Sequence, residues 1–338
     1  MRVFHIVPGL DVVGNGIAVA AKLIAAEQGA DLVEARLFAR GEGELDGYDE
    51  VWVHSCWLPM TLKSCWRVLR AGKPLVRMTH ANLDPVRLKF HGWKKWLVGP
   101  IERAFLRRSA KIVATCEAEK EWIQSYLCKR CPPVEVTDIK RFFKLGNGEQ
   151  GTGNTGKTGQ TCFPSDRPLH LLYLGRRHPL KGIEYLEAAG RQIQNTSALS
   201  ASRHLCVRFV SNISGDELEK VWDWCDVLVL PTLSDNFGLV IAEALERGKR
   251  VITTDGAPAW GEGLELGVGS VGVEELRVES GGVGSGIWSG YDGRLIYLKG
   301  YRDGSPEERI QLLKSAIEGL VVSASNGRNC KIVIDKYA

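Results

Sequence analysis

Long apolar runs are missing from this 338-residue sequence, and none approaches the length that a helix needs to span a bilayer. Arg2 is followed directly by a short strand-like pattern, so we expect no signal peptide. The chain also has little excess charge of either sign, because it contains 44 Lys and Arg residues and 40 Asp and Glu residues. These absences predict a protein that stays in the cytoplasm where it is made and has no nucleic-acid partner.

Cysteine occurs nine times, but without the paired spacing of a metal site. Cys56, Cys206 and Cys225 lie inside apolar segments, which is typical of reduced, buried thiols in a cytoplasm. Only Cys128 and Cys131 form a CxxC pair, and neither a second pair nor a nearby His accompanies it. We therefore expect no metal site in this protein.

Short apolar segments alternate with segments of helical periodicity along most of the chain. Strands are predicted at residues 3–7, 51–54, 75–78, 111–115, 169–175, 207–210, 226–230 and 251–253. The clearest helices are predicted at residues 17–26, 58–69, 216–224, 237–247 and 306–322. Such alternation predicts an α/β fold with parallel, doubly wound sheets. The length allows two domains, which we place at residues 1–145 and 165–305, with a final helix and tail at 306–338 that packs back on the first domain.

Residues 146–164 between these domains are rich in Gly, Thr and Asn and lack apolar periodicity, which predicts a flexible linker. Within them Gly151–Thr158, GTGNTGKT, matches the Walker A pattern letter for letter. A working P-loop needs a buried strand before it and a helix after it, and neither flank has the pattern of such an element. We interpret the match as fortuitous rather than as a triphosphate site.

The most informative stretch is Asp226–Trp260, in which a buried strand, a polar loop, an amphipathic helix and a second buried strand follow one another. In a doubly wound sheet, ligands bind outside the carboxyl ends of the strands, where helix N-termini direct free N–H groups outward. Asp235 lies in the loop and Glu243 lies eight positions later in the helix, so the two acids can reach different parts of one ligand. The backbone N–H groups that can meet an anion there belong to Asn236, Phe237 and Gly238.

Three further loops carry candidate residues directly after predicted strands. Gly14 and Gly16 follow the first strand in a Gly-rich loop that lacks the full dinucleotide fingerprint. His80 follows a later strand, within the sequence THANLDP. Arg176 and Lys181 stand at the mouth of the strand at residues 169–175, where two fixed cations suit the two charges of a diphosphate leaving group.

Three of these motifs resemble family 4 glycosyltransferases, which are retaining nucleotide-sugar enzymes with the GT-B fold of two Rossmann-like domains facing a cleft. The family has two Glu residues separated by seven positions around Phe-Gly, and this chain has Asp235 and Glu243 there. Gly175–Gly182, GRRHPLKG, is similar to the family's Gly-Arg, four variable positions and Lys-Gly. Thr79–Pro85 resembles the pattern His-Gly-x-Leu-Asp-Pro, with Ala81 in place of the Gly. Members that build bacterial surface polysaccharides and lipopolysaccharide cores carry that last pattern.

The resemblance implies a role for each candidate. Arg176 and Lys181 would stabilise the leaving diphosphate, Asp235 would hold the donor sugar, and His80 would face the transferred sugar across the cleft. The donor-binding residues that the resemblance implies are Gly14, Gly16, Asn236, Phe237, Gly238, Leu239 and Glu243. The donor would be a nucleotide-diphosphate sugar, with no cofactor and no metal.

The implied activity is transfer of a sugar, with retention, to a glycan or lipid-linked acceptor in the synthesis of cell-envelope polysaccharide. The alternative is a GT-B protein that binds nucleotide sugars without catalysis, since Asp replaces the first Glu of the motif.

Lys89–Arg108 interleaves basic residues with Trp93, Trp96 and other apolar side chains. Such a segment can lie on an anionic membrane surface, with cations at the headgroups and Trp rings at the interface. It can equally form a helix that packs on the sheet and exposes a solvated basic face. Pro100 is expected to interrupt any single long helix here. Both interpretations stay open, and the first would place the protein peripherally on the inner face of the membrane.

Overall fold

The computed structural model describes residues 1–90, 92–145, 167–195, 205–262, 286–290, 294–324 and 332–336. These residues fall into two compact units, Met1–Phe142 and Phe143–Ala338. The boundary therefore lies just before the predicted end of the first domain at residue 145. The predicted linker at 146–164 and the Walker A match within it lie outside the described residues.

The first unit contains one parallel sheet of six strands in the order β2-β1-β3-β4-β5-β6. Its strands are β1 Val3–Val7, β2 Asp31–Glu34, β3 Glu50–His54, β4 Leu75–Met78, β5 Lys111–Ala114 and β6 Val134–Val136. Its helices are α1 Gly16–Gln28, α2 Ala35–Arg40, α3 Pro59–Arg70, α4 Pro85–Lys89, α5 Gly92–Arg107 and α6 Glu117–Leu127. The crossovers place every strand's carboxyl end at the same edge of the sheet.

Burial on both faces explains why the inner strands of this unit are largely apolar. All five residues of β1 are buried, and so are all four of β4. Helix α1 covers part of the sheet with a face of small residues that includes Ala18, Ala21 and Ala25. Gly29 then ends this helix in the left-handed conformation at φ 60°. The apolar patterning thus produces a doubly wound layer with its core on both sides of the sheet.

The second unit contains a sheet of seven strands in the order β11-β12-β10-β9-β7-β8-β13. Its strands are β7 Leu169–Leu174, β8 Leu205–Val210, β9 Val227–Leu230, β10 Arg250–Thr254, β11 Gly286–Gly290, β12 Leu295–Lys299 and β13 Ile332–Lys336. Its helices are α7 Ile183–Asn195, α8 Asp216–Trp224, α9 Leu239–Glu246 and α10 Pro306–Ala324. Every pairing is parallel except that of β11 with β12. Both units are therefore Rossmann-like.

The segment 306–338, which the sequence set apart from the second domain, contributes to the second unit. Helix α10 packs against α7, and β13 extends the sheet by pairing with β8. The sequence pattern did not indicate β13, which follows a segment outside the described residues. The second sheet thus draws one of its edge strands from the far end of the chain.

Candidate active site

Three neighbouring strands place three loops at one edge of the second sheet. Strand β9 pairs in parallel with β7 on one side and with β10 on the other. The segments that follow them are residues 175–182, 231–238 and 255–258. These loops carry Arg176, Lys181 and the Asp235 motif, so the topology gathers candidates that are far apart in the sequence.

Gly182 brings the first of these loops against the second. A Cβ at this position would lie 2.1 Å from the carbonyl oxygen of Pro231, and the backbone has φ +62°. Next to it, the carbonyl of Leu180 accepts hydrogen bonds from Thr232 Oγ1 at 3.0 Å and from the Leu233 N–H at 2.8 Å. Lys181 lies between these two fixed positions. Its backbone is therefore held firmly at the sheet edge.

Gly256 joins the third loop to the second in the same way. A Cβ there would lie 2.1 Å from the carbonyl oxygen of Thr232. The Asp235 N–H donates to the Gly256 carbonyl at 2.7 Å, and Thr254 Oγ1 donates to the Thr232 carbonyl. Two glycines thus permit backbone contacts that any side chain would prevent, and they fix the position of Asp235.

Lys181 and Asp235 form an ion pair between these loops. Their side chains are only 19% and 16% exposed, so the pair is partly shielded from solvent. The other carboxylate oxygen, Oδ1, accepts the N–H of Asn236 at 2.8 Å. Two residues chosen from separate motifs therefore meet, and the carboxylate orients the ammonium group at the mouth of the loops.

Arg176 lies on the same loop as Lys181, and its side chain is exposed. Its carbonyl accepts a hydrogen bond from the Tyr173 hydroxyl at 2.9 Å, which fixes the loop where it leaves β7. Burial raises the pKa of Tyr173, and the negative charge of Asp235 raises it further. The hydroxyl thus stays protonated as a donor. The role of the Arg176 guanidinium in holding a diphosphate stays a prediction.

Helix α9 begins two residues later than the apolar periodicity indicated. Gly238 precedes its first residue, Leu239, in the left-handed conformation at φ +68°. Phe237 is instead a core residue at 1% exposure, where it packs against Trp260 and Phe143. Trp260 Nε1 also donates to the Phe237 carbonyl. The Phe-Gly pair thus anchors the loop and starts the helix.

Glu243 lies one turn into α9 from Leu239 and is half-buried. Burial raises the pKa of its carboxyl group, and the nearby Arg247 opposes this shift. The structure brings together Lys181 and Asp235, while the role of Glu243 in holding a ribose stays a prediction.

In the first unit, His80 follows β4 at the carboxyl edge of the sheet and is fully buried. Its ring is the last in a row of three neighbouring imidazoles. His5 Nδ1 lies 2.8 Å from His54 Nε2, and His54 Nδ1 lies 2.8 Å from His80 Nε2. At the other end, His5 Nε2 lies 2.8 Å from the amide oxygen of Gln28. The sequence did not predict this row.

Burial keeps these rings neutral. It lowers the pKa of His5 to about 4 and that of His80 to about 3. For His54 burial and the neighbouring rings lower the pKa well below its ordinary value. His80 can therefore act near pH 7 as a neutral hydrogen-bonding group rather than as a cation.

Glu119 fixes the loop that carries His80. One carboxylate oxygen accepts a hydrogen bond from the Thr79 hydroxyl at 2.6 Å and another from the Ala81 N–H. The other accepts the N–H and the hydroxyl of Thr115, each at 2.7 Å. His80 and Ala81 both have positive φ, at 52° and 55°, which is uncommon for residues with a side chain. The buried carboxylate thus holds a turn that the backbone alone disfavours.

Gly14 and Gly16 lie at the same edge, in the loop after β1. Gly14 is exposed at φ +72°, and Gly16 is the first residue of α1. Asn15 between them caps the helix by accepting the Ile17 N–H at 3.2 Å, and its amide donates to the Pro8 and Gly9 carbonyls at 2.8 Å. The loop therefore presents a helix N-terminus, and its contact with a ligand stays a prediction.

The sequence did not assign a site role to His5, His54 or Glu119. His5 and His54 are single polar residues within apolar segments, with no motif around them. The one available signal was that His5, His54 and His80 all fall in, or directly after, strands of the same predicted sheet. Recognising the row required the strand order β1-β3-β4, which periodicity does not supply.

Helix α5 exposes large apolar side chains. Trp93, Trp96, Leu97 and Ile101 are 65%, 78%, 59% and 52% exposed. The expectation that Pro100 interrupts the helix was wrong, because α5 continues through it. Pro100 is exposed, so water can solvate the carbonyl that lacks its helical partner.

No described helix has the length and apolarity to cross a membrane. Among the described residues, no three or more His, Cys, Asp and Glu side chains cluster in a way that would hold a metal ion.

The chain matches two family models. Residues 11–137 match the glycosyl transferase 4-like domain, and residues 168–275 match the glycosyl transferases group 1 domain. Comparison with curated protein sequences gives no significant match.

Two solved structures share the fold. HepE (Alr3699) of Anabaena, crystallised with UDP and glucose, is 14% identical with a TM-score of 0.54, over 96% of this chain and 93% of its own. Sucrose-phosphate synthase of Thermosynechococcus elongatus is 17% identical with a TM-score of 0.51, over 75% of this chain and 81% of its own. Because the two matched domains together span more than half of a chain with two Rossmann-like units, the protein belongs to the glycosyltransferases of GT-B fold.

Proposed function

We propose that this protein is a retaining glycosyltransferase that moves a sugar from a nucleotide-diphosphate sugar to a glycan or lipid-linked acceptor in cell-envelope polysaccharide synthesis. The observation that carries the proposal is the ion pair of Lys181 with Asp235, held between interlocked loops at the carboxyl edge of the second sheet. A cation and an anion at fixed positions there suit a ligand with a diphosphate on one side and sugar hydroxyls on the other.

The leaving group needs positive charge as the glycosidic bond breaks. Lys181 and Arg176 lie on one short loop, and Lys181 is positioned by the contacts of Gly182 and Leu180. When a donor binds, its diphosphate competes with Asp235 for the Lys181 ammonium group. Asp235 is then released to accept hydrogen bonds from hydroxyls of the sugar. The charge developing on the diphosphate would be stabilised by these two cations and by the amides at the start of α9.

A UDP-sugar is the first donor to test. HepE, whose fold this chain shares, was crystallised with UDP and glucose. GDP- and ADP-sugars belong in the same screen. Retention would follow if the acceptor hydroxyl attacks from the face that the diphosphate leaves, with a phosphate oxygen taking its proton.

Helix α5 supports an acceptor at a membrane surface. Trp93, Trp96, Leu97 and Ile101 recur at helical spacing, so they share one exposed face. Exposed basic residues accompany this face, namely Lys89, Lys94, Arg107 and Arg108. Apolar side chains that enter the interface and cations that meet acidic headgroups are the two components of peripheral attachment. We propose that α5 rests on the anionic inner face of the membrane in the cytoplasm.

The test of this function is turnover. The purified protein is incubated with UDP-, GDP- and ADP-sugars and with a panel of glycan and lipid-linked acceptors, and nucleoside diphosphate release is measured. Proton NMR of the product then gives the anomeric configuration. Transfer with retention supports the proposal, and transfer with inversion rejects its stereochemistry. Thermal stabilisation by a donor without turnover of any acceptor supports the alternative, a nucleotide-sugar-binding protein.

A further inference from the structure

An open groove lies at the amino edge of the first sheet. One wall is formed by residues 41–46, which lead into β3, and the other by the last turn of α3, which leads into β4. The loops that carry Gly14 and His80 follow β1 and β4, so they lie at the opposite edge. The groove encloses about 590 Å³, a volume typical of small-ligand sites. It is therefore large enough to hold a ligand away from those loops.

Arg67 holds the first wall in place. Its guanidinium donates to the carbonyl oxygen of Phe38 and, at 3.3 to 3.4 Å, to the carbonyl oxygens of residues 41–43. The same group lies over the Phe38 ring, with its central carbon 4.0 Å from the ring centroid. Leu45 then packs into the core of the unit. The wall is thus formed before any ligand arrives, and binding does not have to order it.

The second wall presents an aromatic ring. Trp66 is 48% exposed on α3, whose buried face is made by other residues of the helix, namely Thr61, Ser64, Cys65 and Val68. Arg70 follows one turn later, and its guanidinium lies over the Trp66 ring at 5.0 Å from the centroid. The ring therefore offers an apolar surface to a ligand, and Arg70 offers hydrogen-bond donors beside it.

The charges of the groove cancel. Glu44 and Asp46 on the first wall carry two negative charges, and Arg67 and Arg70 carry two positive ones. A phosphate or carboxylate ligand gains little in such surroundings. A hydroxyl group both donates and accepts hydrogen bonds, so it can use the carboxylates and the guanidinium of Arg70 together. The chemistry that fits is an uncharged ligand with an apolar face and several hydroxyl groups.

We propose that this groove binds a neutral glycan, with the C–H face of one sugar ring against Trp66 and its hydroxyls bonded to Arg70, Glu44 and Asp46. A sugar ring has the required combination, because its C–H groups form an apolar face and its rim carries hydroxyls. The groove lies at the edge opposite the loops after β1 and β4, so it holds a part of the glycan other than the hydroxyl that reacts. That role in acceptor binding rests on the proposed function, whereas the affinity for glycan does not.

Affinity electrophoresis tests the binding. The protein is run in native gels that contain dextran, mannan or galactan, and in a reference gel without polysaccharide. We expect at least one of the three neutral polymers to retard the protein. For the retarding polymer, Trp66→Ser should raise Kd about tenfold and Arg70→Ala severalfold. Both side chains are exposed, so both variants are expected to fold.

Replacing both Trp93 and Trp96 by Ser gives the matched control, because it removes exposed tryptophans that lie outside the groove. This variant should keep the wild-type Kd. No retardation by any of the three polymers, or an equal Kd for the wild type and Trp66→Ser, would overturn the proposal. So would a loss of retardation in the double variant alone, because the glycan would then bind on α5.

Indole resonances locate the bound glycan. The ten tryptophans are labelled with ¹⁵N, Trp66→Phe assigns the Trp66 signal, and an oligosaccharide of the retarding polymer is added. We expect the Trp66 signal to shift more than any other. Shifts confined to other indoles would contradict binding in the groove.

Turnover tests the role in acceptor binding. With a polymeric acceptor, Trp66→Ser should raise KM about tenfold relative to the KM of a monosaccharide acceptor, because only the polymer reaches the groove. An equal change with both acceptors would show that Trp66 does not hold a distant part of the glycan. If the wild type turns over no donor, the proposed function fails, and the gels and the indole shifts still decide whether the groove binds glycan.

Discussion

Gly182 leaves no room for a side chain against Pro231, because a Cβ would lie 2.1 Å from the Pro231 carbonyl oxygen. Gly182→Ala must therefore displace one of two loops as well as strain a backbone at φ +62°. Gly248 has a similar φ of +71°, but a Cβ there meets nothing within 4 Å. We expect Gly248→Ala to lower the free energy of unfolding by about 1 kcal/mol and Gly182→Ala by roughly 1–3 kcal/mol more. Urea unfolding measures both, and equal losses would contradict the close approach.

Lys181 is expected to be essential for turnover. Lys181→Ala removes the cation that compensates Asp235 and, in our proposal, the leaving diphosphate, so kcat should fall by a factor of about 10²–10³. Lys220→Ala removes an exposed lysine from α8 and should leave kcat unchanged. Nucleoside diphosphate release from a UDP-sugar measures both variants, with circular dichroism to confirm that they fold. Near-normal turnover by a folded Lys181→Ala protein would reject the role of Lys181.

Glu119 is expected to support the His80 loop through its charge and its four accepted hydrogen bonds. Glu119→Gln replaces one accepting oxygen by an amide that only donates, so two donors lose their partner in a buried site. We expect the free energy of unfolding to fall by about 2–4 kcal/mol. Glu121 is exposed on the same helix and serves as the matched control, so Glu121→Gln should change the free energy of unfolding little. Similar stabilities of the two variants in thermal unfolding would argue against the bonds of Glu119.

The buried histidines should make the protein less stable in mild acid. The unfolded chain binds protons at His below about pH 6.5, whereas burial lowers the folded pKa of His5 to about 4 and that of His80 to about 3. The unfolded state therefore gains protons first, and stability is fully present above pH 6.5 and is lost as pH falls towards 4. For these two groups together we expect a loss of about 2 kcal/mol between pH 6 and pH 5.

Substitution tests the origin of this pH dependence. His5→Gln should remove about half of that loss, and His178→Gln, at an exposed position, should remove none of it. The measurement is urea unfolding at several pH values. A His5→Gln protein with the full wild-type dependence would show that His5 does not contribute.

Membrane attachment through α5 is expected to depend on its exposed tryptophans. Replacing both Trp93 and Trp96 by Ser removes two rings that would enter the interface, and we expect binding to anionic vesicles to weaken by about 2–4 kcal/mol. Trp66→Ser is the control, because Trp66 is 48% exposed on α3, outside this face. Sedimentation with phosphatidylglycerol vesicles measures all three proteins. Equal vesicle binding by the wild type and the double variant would show that Trp93 and Trp96 do not contact the membrane.

The sequence predicted the fold well because apolar strands buried on both faces have a clear pattern. Val3–Val7, Leu75–Met78 and Val227–Leu230 were all found from composition and spacing. The start of α9 was placed two residues too early because Phe237 fits helical spacing, although its ring packs with Trp260 in the core. Periodicity measures apolarity and does not distinguish a helix residue from a loop residue that anchors it.

The site was predictable only where a motif existed. Lys181 and Asp235 came from separate motifs, and the structure adds that they form an ion pair with each other. The sequence could not assign His5 and His54 to the site, because only the order of the strands in the sheet places them beside His80. The same holds for Glu119, which lies within hydrogen-bond reach of Thr79 only after β4 and β5 have paired.

Because β13 lies near the end of the chain, the second sheet is completed later during synthesis than the first. The first sheet has all six strands once residue 136 has been made, whereas β8 has its outer neighbour only after residue 336. Translation is slow relative to the folding of a small domain, so the first unit can complete its hydrogen bonding while the ribosome is still at work. Until β13 is made, the outer edge of β8 has unpaired backbone N–H and C=O groups. We expect a chaperone to bind this edge during that interval, because an unpaired strand edge can pair with another chain.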